Sequence, residues 1–179
     1  ATHCDDPVGG REGEWDGSSI TGIALKGMRI TIAAVGRLRP GPERELQHRY
    51  IKRIAWQVDV REVVEKRRLS PSELKRWEAG LLAAACPAGA FLVALDRDGK
   101  EFSSEDFAQL LGIWRDEGVT ELTFVIGGAE GLDHGIVKRA RLVISLGAMT
   151  WPHMMVRAML LEQIYRAQQI LAGHPYHRG

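Results

Sequence analysis

Cysteine is scarce in this chain of 179 residues, and several other signatures of common protein classes are missing as well. Cys4 and Cys86 are far apart and have no C-x-x-C or Cys/His spacing, which argues against a disulfide framework and a structural zinc site. No run of roughly 18 apolar residues indicates a transmembrane helix, and the acidic N-terminus is unlike a secretory signal peptide. These absences favour a protein of the reducing cytoplasm.

Two nucleotide-binding motifs and a strong net charge are also missing. The lack of G-x-G-x-x-G argues against a nicotinamide or flavin site, and the lack of a Walker A sequence argues against a P-loop NTPase. The formal net charge is only +1, so the chain is not a polybasic nucleic-acid coat protein. Two basic clusters, at 66–68 and 138–141, are either solvated faces or sites for an anionic partner.

A change in composition near residue 28 predicts the domain boundary. Residues 1–27 are rich in Gly, Asp and Ser, and we interpret them as a flexible leader or a non-native segment. From Met28 to Gly179, strand-like and helix-like segments alternate. Strands are predicted over 28–35, 57–64, 90–96, 121–126 and 142–146, with helices over 42–55, 70–86, 103–118 and 132–139 and from about 153 to 173. This alternation predicts one α/β domain in which helices flank a mostly parallel sheet.

The last predicted helix is apolar around much of its circumference. The apolar positions are Val156, Leu160, Ile164, Ala167 and Leu171 in one stripe, widened by Met155, Ala158, Met159 and Leu161. A helix of this kind must be covered on two sides. In so small a domain we expect the second cover to be another copy of the chain, in a homodimer.

Three loops that follow predicted strands are chemically distinctive. They are LDRDGK (95–100), IGGAEG (126–131) and LGAMTWPH (146–153). Ligands of open α/β sheets bind beyond the carboxyl ends of the strands, so we expect a site there. Gly127 and Gly128 allow either a sharp turn or the close approach of a ligand. The small apolar loop before Pro152 could wrap an adenine or simply pack as a hydrophobic turn.

Four segments together resemble one known family. They are MRITIAAVG (28–36), FVIGGAEGL (124–132), SLGAMTWPHMMVRAMLLEQIYRA (145–167) and HPYHRG (174–179). The most specific parts are the T-x-P-H-x-x-x-R run that begins at Thr150, the EQ-x-YRA that follows it, and the terminal YHR. From Met28 to its end the chain resembles the RlmH family, SPOUT-class methyltransferases that modify large-subunit ribosomal RNA. Nothing in that family corresponds to residues 1–27.

The resemblance implies a fold, a cofactor and an assembly. It implies a homodimer whose C-terminal chain threads through a deep trefoil knot, formed by the three loops, that holds S-adenosylmethionine. The residues that would contact this cofactor are Leu95, Gly127, Leu146, Gly147, Ala148, Met149, Thr150 and Trp151. Neither a metal ion nor a membrane is part of this expectation.

The resemblance also implies the reaction, which is methylation of N3 of a pseudouridine in 23S ribosomal RNA on the assembled ribosome. The N3–H group is a poor nucleophile until its proton leaves, so the site needs a base or a cation beside the resulting anion. The residues expected to be catalytic are His177, as proton acceptor, Arg157, Tyr176 and Arg178. Those expected to contact RNA by stacking or phosphate binding are His174, Tyr165, Arg166 and Arg178.

Structural roles and other functions remain open beside these expectations. We expect His153 to be a structural hydrogen-bonding residue, and Glu130 could serve the acceptor base or stabilise its turn. Tyr165 could pack on its helix, and Arg166 could form an ion pair. The alternative functions are a nucleotide- or S-adenosylmethionine-dependent enzyme acting on a small molecule, and a non-catalytic dimeric RNA-binding or ribosome-assembly module. The basic, aromatic tail argues against the first, and the intact cofactor loops argue against the second.

Overall fold

The computed structural model describes residues 27–177, so the predicted leader, apart from Gly27, lies outside the described residues. The strands are β1 (Arg29–Val35), β2 (Gln57–Val63), β3 (Phe91–Glu101), β4 (Glu121–Ile126) and β5 (Leu142–Ser145). The helices are α1 (Pro42–Arg53), α2 (Pro71–Ala85), α3 (Ser104–Asp116), α4 (His134–Arg139) and α5 (His153–Leu171), followed by a 3₁₀ turn at Pro175–His177. In the part of the chain that is described, no helix is long and apolar enough to cross a membrane.

The five strands form one parallel sheet in the order β2-β1-β4-β3-β5. This confirms the predicted α/β class. The α1, α3 and α5 helices pack on one face of the sheet, and α2 and α4 cover the other. The central β4 is buried along almost its whole length, whereas β2 at the edge is only partly buried, as its alternating sequence predicted.

Local sequence signals place two helix starts where they were predicted. Ser70 and Glu73 form a capping box at α2, in which the Ser70 hydroxyl accepts from the Glu73 backbone N–H and the Glu73 carboxylate accepts from Ser70 N–H. Ser103 caps α3 by accepting from the Asp106 backbone N–H at 3.0 Å. Gly118 follows the end of α3 with φ of +85°, a conformation that costs glycine little.

The β3 strand differs most from its prediction. The apolar run predicted a strand over 90–96, but the strand continues to Glu101. Its register with β5 shifts on the way, because Ile144 lies opposite both Leu95 and Lys100. The backbone at Gly99 passes so close to β5 that a Cβ there would lie 2.6 Å from the Ile144 carbonyl carbon. Lys100 and Glu101 pair with β5 through backbone groups, which a hydrophobic pattern cannot reveal. The trefoil knot stays a prediction.

Candidate active site

A cavity of about 720 Å³, here named the loop cavity, opens at the carboxyl ends of β4 and β5 and beside the middle of β3. All three segments that the sequence singled out line it, but the first of them, predicted as a loop over 95–100, is part of β3 in the structure. Seven of the eight residues predicted to bind cofactor are among its lining, namely Leu95, Gly127, Leu146, Gly147, Met149, Thr150 and Trp151. The eighth, Ala148, lies in the same loop but does not line the cavity. The volume is that of a typical small-molecule site.

The turn after β4 needs its glycines because of its own backbone. A Cβ on Gly127 would lie 2.7 Å from the carbonyl carbon of Gly131, which is closer than real side chains come. The Gly131 N–H donates to the Gly128 carbonyl at 3.1 Å, and Gly131 has φ of +74°. The sequence left two roles open for these glycines, a sharp turn or the close approach of a ligand. The structure shows the sharp turn, and a ligand contact at Gly127 stays a prediction.

Two side chains hold the loop that precedes α5. The Gly147 N–H donates to Ser145 Oγ at 3.1 Å, and Trp151 Nε1–H donates to the Leu146 carbonyl at 3.3 Å. The backbone is fixed in this way, while the Met149 side chain remains 72% exposed at the cavity. A large apolar side chain left in solvent beside a cavity is available to cover a ligand.

Charged side chains add to the predicted lining of the loop cavity. Asp96 and Asp98 follow the buried half of β3, and Asp98 N–H donates to the Asp96 carboxylate at 3.0 Å. Glu130 lies in the turn after β4, and Lys75 reaches the cavity from α2. No sequence signal pointed to Lys75, because it lies on a helix far along the chain from the three loops.

A buried carboxyl group lies against the turn after β4. Glu78 on α2 is 8% exposed, and a Cβ on Gly128 would lie 3.2 Å from both of its carboxylate oxygens. Burial raises the pKa of Glu78, and the charges of Glu130 and Glu65 raise it further. This environment favours the protonated form of the Glu78 carboxyl.

His153, which the sequence assigned a structural role, lies between the loop cavity and the end of β1. It lines the cavity, and a Cβ on Gly36 would lie 3.1 Å from its Nε2 atom. Burial lowers the pKa of His153, and the positive charge of Arg157 lowers it further. A neutral imidazole can accept a proton. His153 is therefore a second candidate proton acceptor, beside His177, whose side chain lies outside the described part of the chain.

Arg157, predicted to be catalytic, has a completely buried side chain at 0% exposure. Its guanidinium donates to the Glu62 carboxylate at 2.8 Å and to the Val35 carbonyl at 2.7 Å, and also to the Gly36 carbonyl. In this structure the guanidinium is thus used to join α5 to the ends of β1 and β2. A catalytic role for Arg157 stays a prediction. Its buried position suits a residue that positions the ends of β1 and β2 relative to α5.

Three of the residues assigned to RNA or catalysis meet at the other end of α5. The rings of Tyr165 and Tyr176 pack edge to face at 4.8 Å between centroids, and the Arg166 guanidinium lies 5.2 Å from the Tyr176 ring. Tyr50 on α1 lies 6.2 Å from Tyr165, and we name these four residues the tail cluster. Arg166 also pairs with Glu162 at 2.7 Å, as its structural alternative anticipated. Burial raises the pKa of Tyr176, and Tyr50 and Glu162 raise it further, which favours the neutral phenol over the phenolate.

Within one chain, the structure does not bring the tail cluster to the loop cavity. The cavity lies at the start of α5, and Tyr165 and Arg166 of the cluster lie in the second half of that helix. From His153 to Tyr165 the helix rises by about 18 Å along its axis. The expected contact between tail and cofactor is therefore absent from the single described chain. Arg178, which was predicted to contact RNA, lies outside the described residues. His174 lies in the same tail, and its backbone N–H donates to the Gln169 carbonyl at 2.9 Å.

Comparisons with known proteins agree with this geometry. Residues 28–177 match the family described as "Predicted SPOUT methyltransferase". A protein of Rhodospirillum centenum named Ribosomal RNA large subunit methyltransferase H is 57% identical over 152 residues, which is 85% of this chain and 100% of that protein. A protein of the same name from Nitrobacter winogradskyi is 52% identical over 160 residues, with the same coverage of 85% and 100%.

A solved structure shows the same fold at low sequence identity. It is a probable methyltransferase from Bordetella pertussis Tohama I, with a TM-score of 0.53 and 16% identity, and the match covers 78% of this chain and 96% of that one. The family match spans every described strand and helix, and the relatives are matched over their whole length. The chain therefore belongs to the SPOUT methyltransferase family, as its motifs predicted.

Proposed function

We propose that this methyltransferase uses S-adenosylmethionine to methylate N3 of a pseudouridine in 23S ribosomal RNA on the assembled ribosome. The observation that carries the proposal is the loop cavity, whose lining contains seven of the eight residues expected to bind the cofactor. The full-length likeness to proteins named Ribosomal RNA large subunit methyltransferase H supports the substrate. Such a substrate would place the protein in the cytoplasm.

The residues of the loop cavity fit S-adenosylmethionine, which would supply an electrophilic methyl group on a positively charged sulfur. Leu95, Ile126 and Leu146 offer apolar surface for an adenine ring. The carboxylates of Asp96, Asp98 and Glu130 complement positive charge, and the Lys75 ammonium complements a carboxylate. Among the described residues, no group of three His, Cys, Asp or Glu side chains could hold a metal ion.

Removal of the N3 proton is the chemical task left to the protein. His153 lines the cavity, and its lowered pKa keeps the imidazole in the neutral form that a proton acceptor needs; His177 is the candidate from the tail. Because methyl transfer is an in-line displacement, fixing the acceptor base close to the cavity supplies much of the acceleration. The aromatic and cationic groups of the tail suit the task of holding that base.

We propose that a homodimer brings the tail to the site. An apolar groove of about 690 Å³ runs along α5, from Leu146 beside the loop cavity to Tyr50 in the tail cluster. Met155 and Met159 are among its lining, and Met155 is 39% exposed. In a two-fold dimer whose axis is perpendicular to α5, the two α5 helices run in opposite directions. The tail of each copy then approaches the loop cavity of the other.

The first experiment tests the reaction. Ribosomes from a strain that lacks this enzyme are incubated with labelled S-adenosylmethionine and the protein, and the methylated nucleotide is located by nuclease digestion and mass spectrometry. We expect methyl on a 23S pseudouridine with the intact chain, and none with a chain truncated after Gly173 that still binds the cofactor. Tight cofactor binding without transfer would refute the ribosomal substrate, and no cofactor binding would refute the enzyme.

Complementation tests whether the site is shared between two copies. Thr150→Arg fills the loop cavity from an exposed lining position and should abolish cofactor binding. Mixed with the truncated chain, it should restore part of the activity, because one site of each mixed dimer has an intact cavity and an intact tail. A mixture as inactive as either variant alone, despite mixed dimers being present, would contradict the shared site.

The dimer itself is tested by one substitution in the groove. Met155→Glu should give monomers in sedimentation equilibrium, since an unpaired charge in an interface costs several kcal/mol, at least about a hundredfold in the dissociation constant. Ile113→Glu is the matched control, because Ile113 is 52% exposed on α3 and does not line the groove. An unchanged dimer with Met155→Glu would place the interface elsewhere.

A further inference from the structure

A second polar cavity lies on the side of α1 that faces away from the apolar groove. It has a volume of about 440 Å³, and we name it the arginine cavity. Its lining consists of Arg37, Leu38, Arg44, Gln47, His48, Val60 and Glu62. The basic residues come from the loop after β1 and from the first turns of α1. Neither basic cluster singled out in the sequence contains them.

The positive charge of this cavity is not neutralised by the residues that the structure describes. Arg37 and Arg44 are exposed, and neither forms an ion pair with a carboxylate in residues 27–177. The one carboxylate in the lining, that of Glu62, is already bound by Arg157 at 2.8 Å and by the Leu38 backbone N–H at 2.9 Å. Two arginines with free guanidinium donors on one concave surface are suited to a phosphate group.

Gln47 gives the same cavity a hydrogen-bonding group that the protein leaves unused. It is 7% exposed, it lines the cavity, and its Oε1 atom has no hydrogen-bond partner among the described residues. A buried amide without a partner costs free energy in the isolated protein. A ligand that brings a hydroxyl donor beside a phosphate, as a ribose does, would satisfy Gln47 and the two arginines together.

The position of the arginine cavity connects it to the site of methyl transfer. Gly36 lies close to His153 of the loop cavity, since a Cβ on Gly36 would be 3.1 Å from His153 Nε2, and Arg37 follows Gly36 directly. The α1 residues of the apolar groove are Pro42, Glu43, Leu46 and Tyr50, none of which lines the arginine cavity. A second copy in the groove would therefore leave the arginine cavity open to solvent.

We propose that the arginine cavity binds the sugar-phosphate backbone of the substrate RNA beside the nucleotide that is methylated. Arg37 and Arg44 hold a phosphate, and Gln47 accepts a hydrogen bond from a ribose 2′-hydroxyl. The inference rests on the proposed function, because it takes ribosomal RNA as the substrate. It places recognition of the RNA backbone on the loop after β1 rather than on the cluster at 138–141.

The experiment compares two double variants of equal charge change. Arg37→Gln/Arg44→Gln alters the arginine cavity, whereas Arg139→Gln/Arg141→Gln alters exposed residues just before β5, at the opposite edge of the sheet. Binding to ribosomes by co-sedimentation and KM for methyl transfer are measured between low and high salt. Each lost phosphate contact lowers the slope of log affinity against log salt by about one.

We expect the first double variant to bind ribosomes at least about tenfold more weakly, with a salt slope smaller by up to about two, and with kcat and cofactor affinity unchanged. The control should match the wild type. Gln47→Leu, which keeps the volume, should weaken binding severalfold without changing the salt slope. Equal effects of the two double variants, or no effect of either, would overturn the proposal.

Binding and methylation are scored separately, so the two proposals can fail separately. If the wild type methylates no ribosomal RNA but its binding to ribosomes depends on Arg37 and Arg44, the RNA-binding role of the arginine cavity is supported and the proposed reaction is refuted. If ribosomes are methylated and binding does not depend on either arginine, only the RNA-binding role of the arginine cavity is refuted. A wild type that does not bind ribosomes refutes both.

Discussion

The buried guanidinium of Arg157 should contribute more to stability than any surface charge of the chain. Arg157→Met keeps an unbranched side chain in the same space but removes the guanidinium hydrogen bonds to Glu62, Val35 and Gly36. Removing one partner of a buried ion pair costs about 3–5 kcal/mol. The Glu62 side chain is 28% exposed and keeps the Leu38 N–H as a donor, so water offsets part of the loss. We therefore expect a cost of about 3 kcal/mol.

That free energy converts into a measurable melting shift. For a domain of this size, about 1 kcal/mol corresponds to roughly 2–4 °C, so the unfolding midpoint should fall by about 6–12 °C. The measurement is thermal unfolding followed by circular dichroism, with urea titration for the free energy. Arg115→Met is the control, because it breaks the surface pair with Asp116 and should cost at most about 1 kcal/mol.

A double-mutant cycle tests the reasoning itself. Adding Glu62→Leu to Arg157→Met removes the carboxylate that would otherwise remain unpaired, so the two costs should be non-additive by at least about 1 kcal/mol. A cost below about 1 kcal/mol for Arg157→Met, or strictly additive costs, would refute the conclusion that the Arg157–Glu62 ion pair stabilises the fold. Arg157→Lys, assayed well below its melting point, separates the roles: weaker cofactor binding indicates positioning, whereas a lower kcat at unchanged cofactor affinity supports the catalytic prediction.

Two glycines and one carboxyl group give the remaining predictions. Gly127→Ala should lower stability by about 1–3 kcal/mol and cofactor affinity at least tenfold in calorimetry, because its Cβ would meet the Gly131 backbone at 2.7 Å. Gly80→Ala, inside α2 with nothing within 4 Å, should instead stabilise by about 0.5–1 kcal/mol; equal effects would contradict this reasoning. The raised pKa of Glu78 stabilises the fold below the ordinary carboxyl pKa, and this contribution is lost as pH rises through the raised value. Glu78→Gln should therefore melt higher than the wild type at neutral pH but not at acidic pH; parallel pH profiles would contradict this.

The sequence predicted those features of the fold that depend on local pattern. The capping box at Ser70 and the apolar run at 121–126 describe their own elements, since each acts within a few residues. The loops after β4 and β5 were predictable for a related reason, because all carboxyl ends of a parallel sheet lie at one edge. The segment 95–100 does line the cavity, but as part of β3 and not as the predicted loop. The second half of β3 was missed, because Lys100 and Glu101 pair with β5 through backbone groups.

Sequence reasoning could not identify the partner of a side chain when that partner is distant in the chain. The catalytic role of Arg157 stays a prediction, but its ion pair with Glu62 was not predictable, because Glu62 lies 95 residues away on an edge strand. Gln47 and Arg44 gave no signal for the same reason, since a cavity between α1 and β2 exists only after the sheet has formed. The buried Arg157 connects elements of the fold, whereas the exposed Arg44 has guanidinium donors available for a ligand. This difference depends on burial, and burial depends on tertiary packing.

The Glu62 carboxylate connects two of the three regions that methyl transfer would need. It accepts from Leu38 N–H, which orients the loop that carries Arg37, and from Arg157, which fixes the first turns of α5 behind the loop cavity. A shift of either segment would therefore strain the same ion pair, so the loop cavity and the arginine cavity are held in one fixed relation. The described part of the tail has no such connection to the loop cavity within its own chain, because about 18 Å of helix lies between His153 and Tyr165. Pre-organisation within the chain would thus position donor and RNA in the proposed reaction, whereas in the proposed homodimer a second copy would bring the tail to it.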